Sequence, residues 1–382
     1  MGHYNIVVIG AGISGAVLAE RYASLGKKVL VLEKRNHIGG NCYDYYNEHG
    51  ILVSKYGAHL FHTNYEDVWE YVNRFSEWYT YEHRVLARVD GMLVPIPVNI
   101  TTVNKLFGLN IQTESEMQQW LEHVQVKNEH PQNGEEAALA RVGPVLYEKM
   151  FKHYTKKQWA KDPKELDASV LQRIPVRTNF DDRYFSDKYQ ALPAGGYTQM
   201  FERIFSHPNI EVRVNTDFFD MRESPEIVGA EKIFYTGPID RFFDYKYSTQ
   251  GKKLQWRSIR FEWETLNMDS FQENSVINYP DPRDGDFTRI IEYKKITQQK
   301  HPKTTICREY STDFGEPYYP VPNPENDAIF QQYKLEADKL KNIYFVGRLA
   351  NYKYFNMDQA FKNALDLFNA LEGPTLLNTK GN

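Results

Sequence analysis

The chain opens on two short unbroken apolar runs, 5–9 and 28–32, separated by an amphipathic stretch. Unbroken runs of this length suit strands buried on both faces, and the stretch between them suits a helix packed against those strands. Residues 51–62 read as strand and loop, and 65–78 places Val68, Trp69, Val72 and Phe75 on one helical face. Residues 83–98 alternate around Gly91-Met92, a hairpin ending in Pro95-Ile96-Pro97. From about 101 to 172 turn signals thin out and helix formers dominate, with Pro163 and Pro175 bracketing the exit. Residues 176–192 read as extended and aromatic, and LPAGGYTQMFERIF as a paired-glycine turn leading into a helix. Strands are predicted over 210–217 and 231–236, and strong alternation over 254–310 predicts an antiparallel sheet. EPYYPVPNPEND reads as a loop, NIYFVGRLANY as a strand ending in a glycine turn, and 357–371 as a final amphipathic helix.

The glycines between the first two runs change this from a pattern into a chemistry. Gly10, Gly12 and Gly15 form G-x-G-x-x-G directly after a strand and at the mouth of a helix, where Ile13 and Ser14 follow the turn. Gly10 permits the tight turn, Gly12 lets backbone N–H groups approach a pyrophosphate, and Gly15 lets helix and sheet pack closely. The helix N-terminus then faces the anion. Glu33 ends the second strand, near the spacing of a carboxylate that binds a ribose hydroxyl, which disfavours a 2′-phosphate. Beyond it, Lys34, Arg35, Gly39, Gly40 and Asn41 continue into a second glycine turn. This extension resembles the flavoprotein superfamily that includes amine oxidases and carotenoid desaturases, and the resemblance implies FAD. The expected fold is α/β. A Rossmann-like FAD-binding domain spans 1–82, 193–240 and 338–382, with a helical insertion at 102–172. An antiparallel sheet domain takes 83–101, 173–192 and 241–337.

Composition narrows the partners. The formal net charge of −4 and the absence of any block of five like charges argue against broad nucleic-acid or anionic-membrane binding. No apolar run reaches the length of a membrane span, and the early first strand leaves no room for a signal peptide. Cys42 and Cys307 stand too far apart in sequence to suggest a disulfide framework or metal spacing; reduced thiols and a cytoplasmic location are expected. Tyrosine is the leading aromatic, with 27 residues against 22 Phe and 6 Trp. That excess suits a pocket that stacks a base and hydrogen-bonds a sugar, although most of these residues belong to core packing.

Three further motifs carry a closer likeness: FKHYTKKQW at 151–159, RIPVRTNFDDRYF at 173–185, and YFVGRL with YKYFNMD at 344–358. Together with HIGGNCYD, YGAHLFHT, GGYTQM and PYYP, they resemble the bacterial-type UDP-galactopyranose mutase family over about 4–370. The resemblance implies an isomerase that interconverts UDP-galactopyranose and UDP-galactofuranose, with reduced FAD as its cofactor and flavin N5 as nucleophile at the anomeric carbon. It also implies a homodimer and a cellular flavin reductant.

The residues suit such chemistry. A departing diphosphate needs fixed cations, and Arg173 and Arg289 match the family's diphosphate-binding arginines. Tyr184, Tyr319 and Tyr354 match its phosphate-binding tyrosines. Tyr154, Trp159, Thr155 and Phe151 match its uracil and substrate region, where Trp159 could equally pin the helical insertion. His59, His62, Arg348 and Met357 are placed near the flavin, with His62 and Arg348 among the catalytic group. The i, i+3 spacing of His59 and His62 alone would suit a metal pair, but no carboxylate cluster accompanies it, and no metal is expected. His83 and Asn356 stand where some family members carry Asn and Asp, which opens the choice of sugar to an N-acetylated substrate. Pro163 and Pro175 bracket a segment expected to act as a lid. Two rivals stand beside the mutase: a flavin amine oxidase or desaturase, and a non-catalytic nucleotide-sugar sensor.

Overall fold

A computed structural model describes residues 4–172, 174–248 and 254–373. The two apolar runs form β1 (Ile6–Ile9) and β2 (Val29–Leu32), joined by α1 (Ile13–Ser24). Both strands are buried throughout, as unbroken apolar runs require. They lie at the centre of a five-stranded, all-parallel sheet whose order is Ile210–Arg213, β2, β1, Lys232–Tyr235, Ile343–Phe345. The last helix, Met357–Glu372, packs on α1, where Phe361, Ala364 and Phe368 join the core.

A seven-stranded sheet forms the second layer. Its long central pair, Trp256–Leu266 and Thr304–Thr312, is antiparallel over nine residue pairs. Arg289–Glu292 pairs antiparallel with both Thr304–Thr312 and Val276–Asn278. The hairpin Val85–Val89 and Met92–Ile96 joins one edge through a parallel pairing of Val276 with Val85, so the sheet is not wholly antiparallel, and Tyr319–Pro320 pairs with Trp256–Leu266 at the other edge. A three-stranded sheet, with Tyr189–Pro193 between Phe61–Thr63 and Trp78–Thr80, links the layers.

Three expectations fail locally. The alternation of TRIIEYKKI continues only to Glu292, where the chain turns into a helix, Tyr293–Thr297. Tyr293 and Ile296 are both buried there at i, i+3, a spacing that serves a helix and not a strand. The Pro-rich loop is shorter than expected, because the helix Pro324–Ala337 begins inside it, capped by the Asn323 side chain with Pro324 at its first position. The 65–78 helix also stops early, at Asn73, and a short strand, Trp78–Thr80, follows. Among the described residues, no helix is long and apolar enough to cross a membrane.

Candidate active site

The glycine turn is built as an anion cradle. Gly10 takes φ +103°, and Gly39 and Gly40 also have positive φ, bringing Gly40 against Gly12. Gly39 N–H donates to Ala11 O at 2.8 Å, which locks the second glycine turn onto the first. The N-terminus of α1 has no capping side chain and no acid in its first turn, so its amides remain for an anion. Glu33 is buried, and its two oxygens accept from Ala11 N–H at 2.9 Å and Arg35 N–H at 2.8 Å. Arg35 lies over Tyr56 and donates to Asn41 Oδ1 at 3.0 Å, and Lys34 pairs with Glu316 at 2.8 Å. Ser14, in the first turn of α1, lies close to Gly347, and Met357 opens the last helix. These features fit a dinucleotide diphosphate.

In the seven-stranded sheet, Arg289 stands directly opposite Glu309 in register. Its Nε donates to Glu309 Oε2 at 2.6 Å. Glu309 is 2% exposed, while the Arg289 side chain on the neighbouring strand is 36% exposed. Burial works against the Arg289 charge, but Glu309 and the phenols of Tyr154 and Tyr354 outweigh it and raise the guanidinium pKa. The same charge reaches Tyr184, Tyr319, His59 and His83. Burial raises the pKa values of Tyr154, Tyr184 and Tyr319, so these phenols remain donors at neutral pH. The structure therefore brings together most of the residues expected at the substrate site, and it adds Glu309.

Local structure explains the arrangement. A π-helical turn, Tyr147–Lys152, precedes the helix His153–Trp159 and resets the helical phase ahead of Tyr154, Thr155 and Trp159; Phe151 lies within it. Trp159 is buried and packs edge-on against Tyr319 at 5.3 Å and Tyr354 at 6.1 Å. Lys157, on the same helix, donates to the carbonyls of Tyr279, Asp281 and Phe287, which ties the helix to the loop before Arg289. Gly57 has φ +89°, and a Cβ there would meet Glu309 Oε1 at 2.8 Å. That oxygen is buried and has no hydrogen-bond partner among the described residues.

Other expected site residues have more structural settings. The Arg348 guanidinium donates to Phe355 O and Tyr318 O and lies near the Tyr354 ring. Asn356 begins the last helix on an exposed position, its N–H donating to Gln359 Oε1 at 2.9 Å. His59 and His62 are engaged separately: His59 Nδ1 meets Gly57 O at 2.9 Å, and His62 Nδ1 meets Asp187 Oδ2 at 2.9 Å. Arg173 lies outside the described residues.

Burial, then the charges of Arg289 and His62, lowers the His83 pKa to about 3. Burial, then Arg348 and Arg289, lowers His59 to about 4 against the pull of the Gly57 carbonyl. Both rings titrate near 6.5 in an unfolded chain. Between about 6.5 and 3 the unfolded chain holds more protons, so stability falls as pH falls through that window. Acid-unfolding curves of His83→Gln should be shallower there than those of the wild type; equal slopes would count against a buried neutral His83.

The family comparison fits this geometry. The UDP-galactopyranose mutase family model matches residues 149–354, which hold the helix His153–Trp159, Arg289, Glu309 and the tyrosines. The probable UDP-galactopyranose mutase of Klebsiella pneumoniae is 39% identical over 371 residues, covering 96% of this chain and 94% of that protein. The chain belongs to the UDP-galactopyranose mutase family. A second relative, dTDP-fucopyranose mutase of Escherichia coli, is 38% identical, covering 95% of this chain and 97% of its own. The crystal structure of a reduced UDP-galactopyranose mutase superposes with a TM-score of 0.77 at 18% identity, covering 98% of this chain and 96% of that one, and so shares the fold. A NAD(P)-binding Rossmann-like model matches 8–75, the segment of the glycine cradle. As a family member the protein is an isomerase, and its Rossmann-like cradle is that of a flavoenzyme.

Proposed function

We propose that this isomerase interconverts UDP-galactopyranose and UDP-galactofuranose by ring contraction, with the nucleotide sugar bound at Arg289 and its surrounding phenols. The observation that carries this reading is Arg289 itself: a partly exposed guanidinium held through Nε by a buried carboxylate, with the phenols of Tyr154 and Tyr354 beside it. With Nε engaged, its terminal nitrogens are left to meet a diphosphate. Tyr154, Tyr184, Tyr319 and Tyr354 supply neutral donors, and Arg173 supplies a second cation to the departing diphosphate. Phe151, Thr155 and Trp159 form the wall for the base, and His83 and Asn356 stand toward the sugar. Reduced FAD, once bound at Gly10–Asn41 and beside His59, supplies N5 as the nucleophile toward the anomeric carbon. The proposal includes a homodimer, a cellular flavin reductant and a cytoplasmic location.

The near-equal likeness to a dTDP-fucopyranose mutase sets the sugar and base as the open choice. The test is anaerobic incubation of dithionite-reduced protein with UDP-galactopyranose, dTDP-fucopyranose or UDP-N-acetylgalactosamine, with furanose products resolved by chromatography. UDP-galactofuranose formed only by reduced protein is the expected result. Turnover only in air, with oxygen consumed, supports the oxidase instead. UDP-galactose binding without conversion supports the sensor.

A further inference from the structure

His62 lies on the strand Phe61–Thr63, which pairs antiparallel with Tyr189–Pro193, and Asp187 stands two residues before that partner strand. Besides accepting from His62 Nδ1, Asp187 accepts Asn64 Nδ2 on its other oxygen at 3.0 Å, so both oxygens are fixed. Phe185 stacks on the imidazole, with centroids 3.6 Å apart and planes 15° apart. The two side chains are only 10% and 19% exposed.

A carboxylate accepts and does not donate, so Nδ1 carries a hydrogen in both charge states of the ring. The stacked Phe185 resists rotation away from Asp187. Nε2 is then the nitrogen that gains and loses a proton, and among the described residues it has no hydrogen-bond partner. Other groups face this ring too. Asp358 approaches from the first turn of the last helix, His83 from across the site, and Arg289 lies beyond His83. Burial raises the Asp358 carboxyl, and its Oδ1 is unpartnered among the described residues.

Ring contraction requires one internal proton transfer. In the pyranose O5 closes the ring and O4 carries hydrogen; in the furanose the two exchange. We propose that Asp187 is a positioning residue that holds His62 with Nε2 as its working nitrogen, and that this nitrogen carries the proton from O4 to O5. This rests on the mutase reading. The C1–O5 bond breaks, O5 keeps its electron pair, and it takes the Nε2 proton from the charged ring. O4 then bonds C1 with a lone pair and returns its proton to Nε2. The imidazolium is restored, and no oxidant or reductant is consumed. The Asp187 charge stabilises the charged ring between turnovers.

The experiment uses reduced, flavin-loaded protein with UDP-galactopyranose. Asp187→Asn removes the charge and keeps the shape. Expected are unchanged flavin content, a KM within about twofold, and kcat lower by about 10²-fold, the usual scale of acid–base assistance. The pH limb of kcat should also change, because the variant no longer carries the Asp187 charge beside the ring. Unchanged kcat and pH limb would overturn the proposal, as would a loss matched by lost flavin or a lower Tm. Nitrogen-15 spectra of the wild type give a test without turnover and without a variant. Neutral His62 with hydrogen on Nδ1 supports the assignment, and hydrogen on Nε2 overturns it. Failure of the mutase reading is recognised separately, by wild-type protein that forms no furanose.

Discussion

Arg289→Ala should reduce kcat/KM for the nucleotide sugar by about 10²–10⁴-fold, since each charged hydrogen bond to phosphate is worth about 1.5–3 kcal/mol and the guanidinium can make two. The loss should fall on both KM and kcat, because the diphosphate gains charge as it departs. A second effect follows from Glu309. It is 2% exposed and loses the ionic partner that Arg289 supplied, so a buried carboxylate remains uncompensated. Breaking a buried pair costs about 3–5 kcal/mol; with the Arg289 side chain 36% exposed, the lower end applies. Adding Glu309→Gln to Arg289→Ala should therefore recover much of the lost thermal stability and none of the activity. Arg289→Lys keeps the charge but loses the fork, and should lie between. A stable, active Arg289→Ala enzyme would refute the assigned role.

The cofactor half was legible because its signals are local. Three glycines, the strand before them and the acid after them lie within one stretch of chain, and each has a backbone reason to be there. The substrate half was legible only as separate motifs. Arg289 could be matched, but its partner comes from strand register: Glu309 lies across the sheet, and nothing near Arg289 in sequence announces it. A signal did exist. The strand is buried on both faces from Thr304 to Cys307 and Glu309 continues that buried run, where a charge demands a partner. Asp187 was missed for a similar reason, since it meets His62 across 125 positions of chain. The helix Pro324–Ala337 was missed differently. Asn323 and Pro324 are helix-start residues, but they stood among prolines that favoured a loop reading.

The sharpest test of the cradle compares two glycines to which the motif gives different tasks. At Gly15 a Cβ would lie 1.9 Å from Gly10 O, a backbone atom that cannot rotate away. Gly15→Ala must therefore push α1 off β1, costing about 3 kcal/mol or more of stability, at the upper end of overpacking. At Gly12 the nearest atom to a new Cβ is Gly40 Cα at 3.6 Å, an ordinary contact, and the backbone there is extended as any residue allows. Gly12→Ala apoprotein should keep its Tm, with a stability change of about 0.5 kcal/mol at most. Its methyl group stands at the uncapped mouth of α1, where a diphosphate must approach the amides. Losing one charge-assisted amide bond there should weaken FAD binding by about 10–10²-fold, measured by titrating apoprotein with the flavin. Stability and flavin affinity should thus separate, one lost at Gly15 and the other at Gly12. If Gly12→Ala binds FAD as wild type does, the turn is a packing device and the diphosphate lies elsewhere.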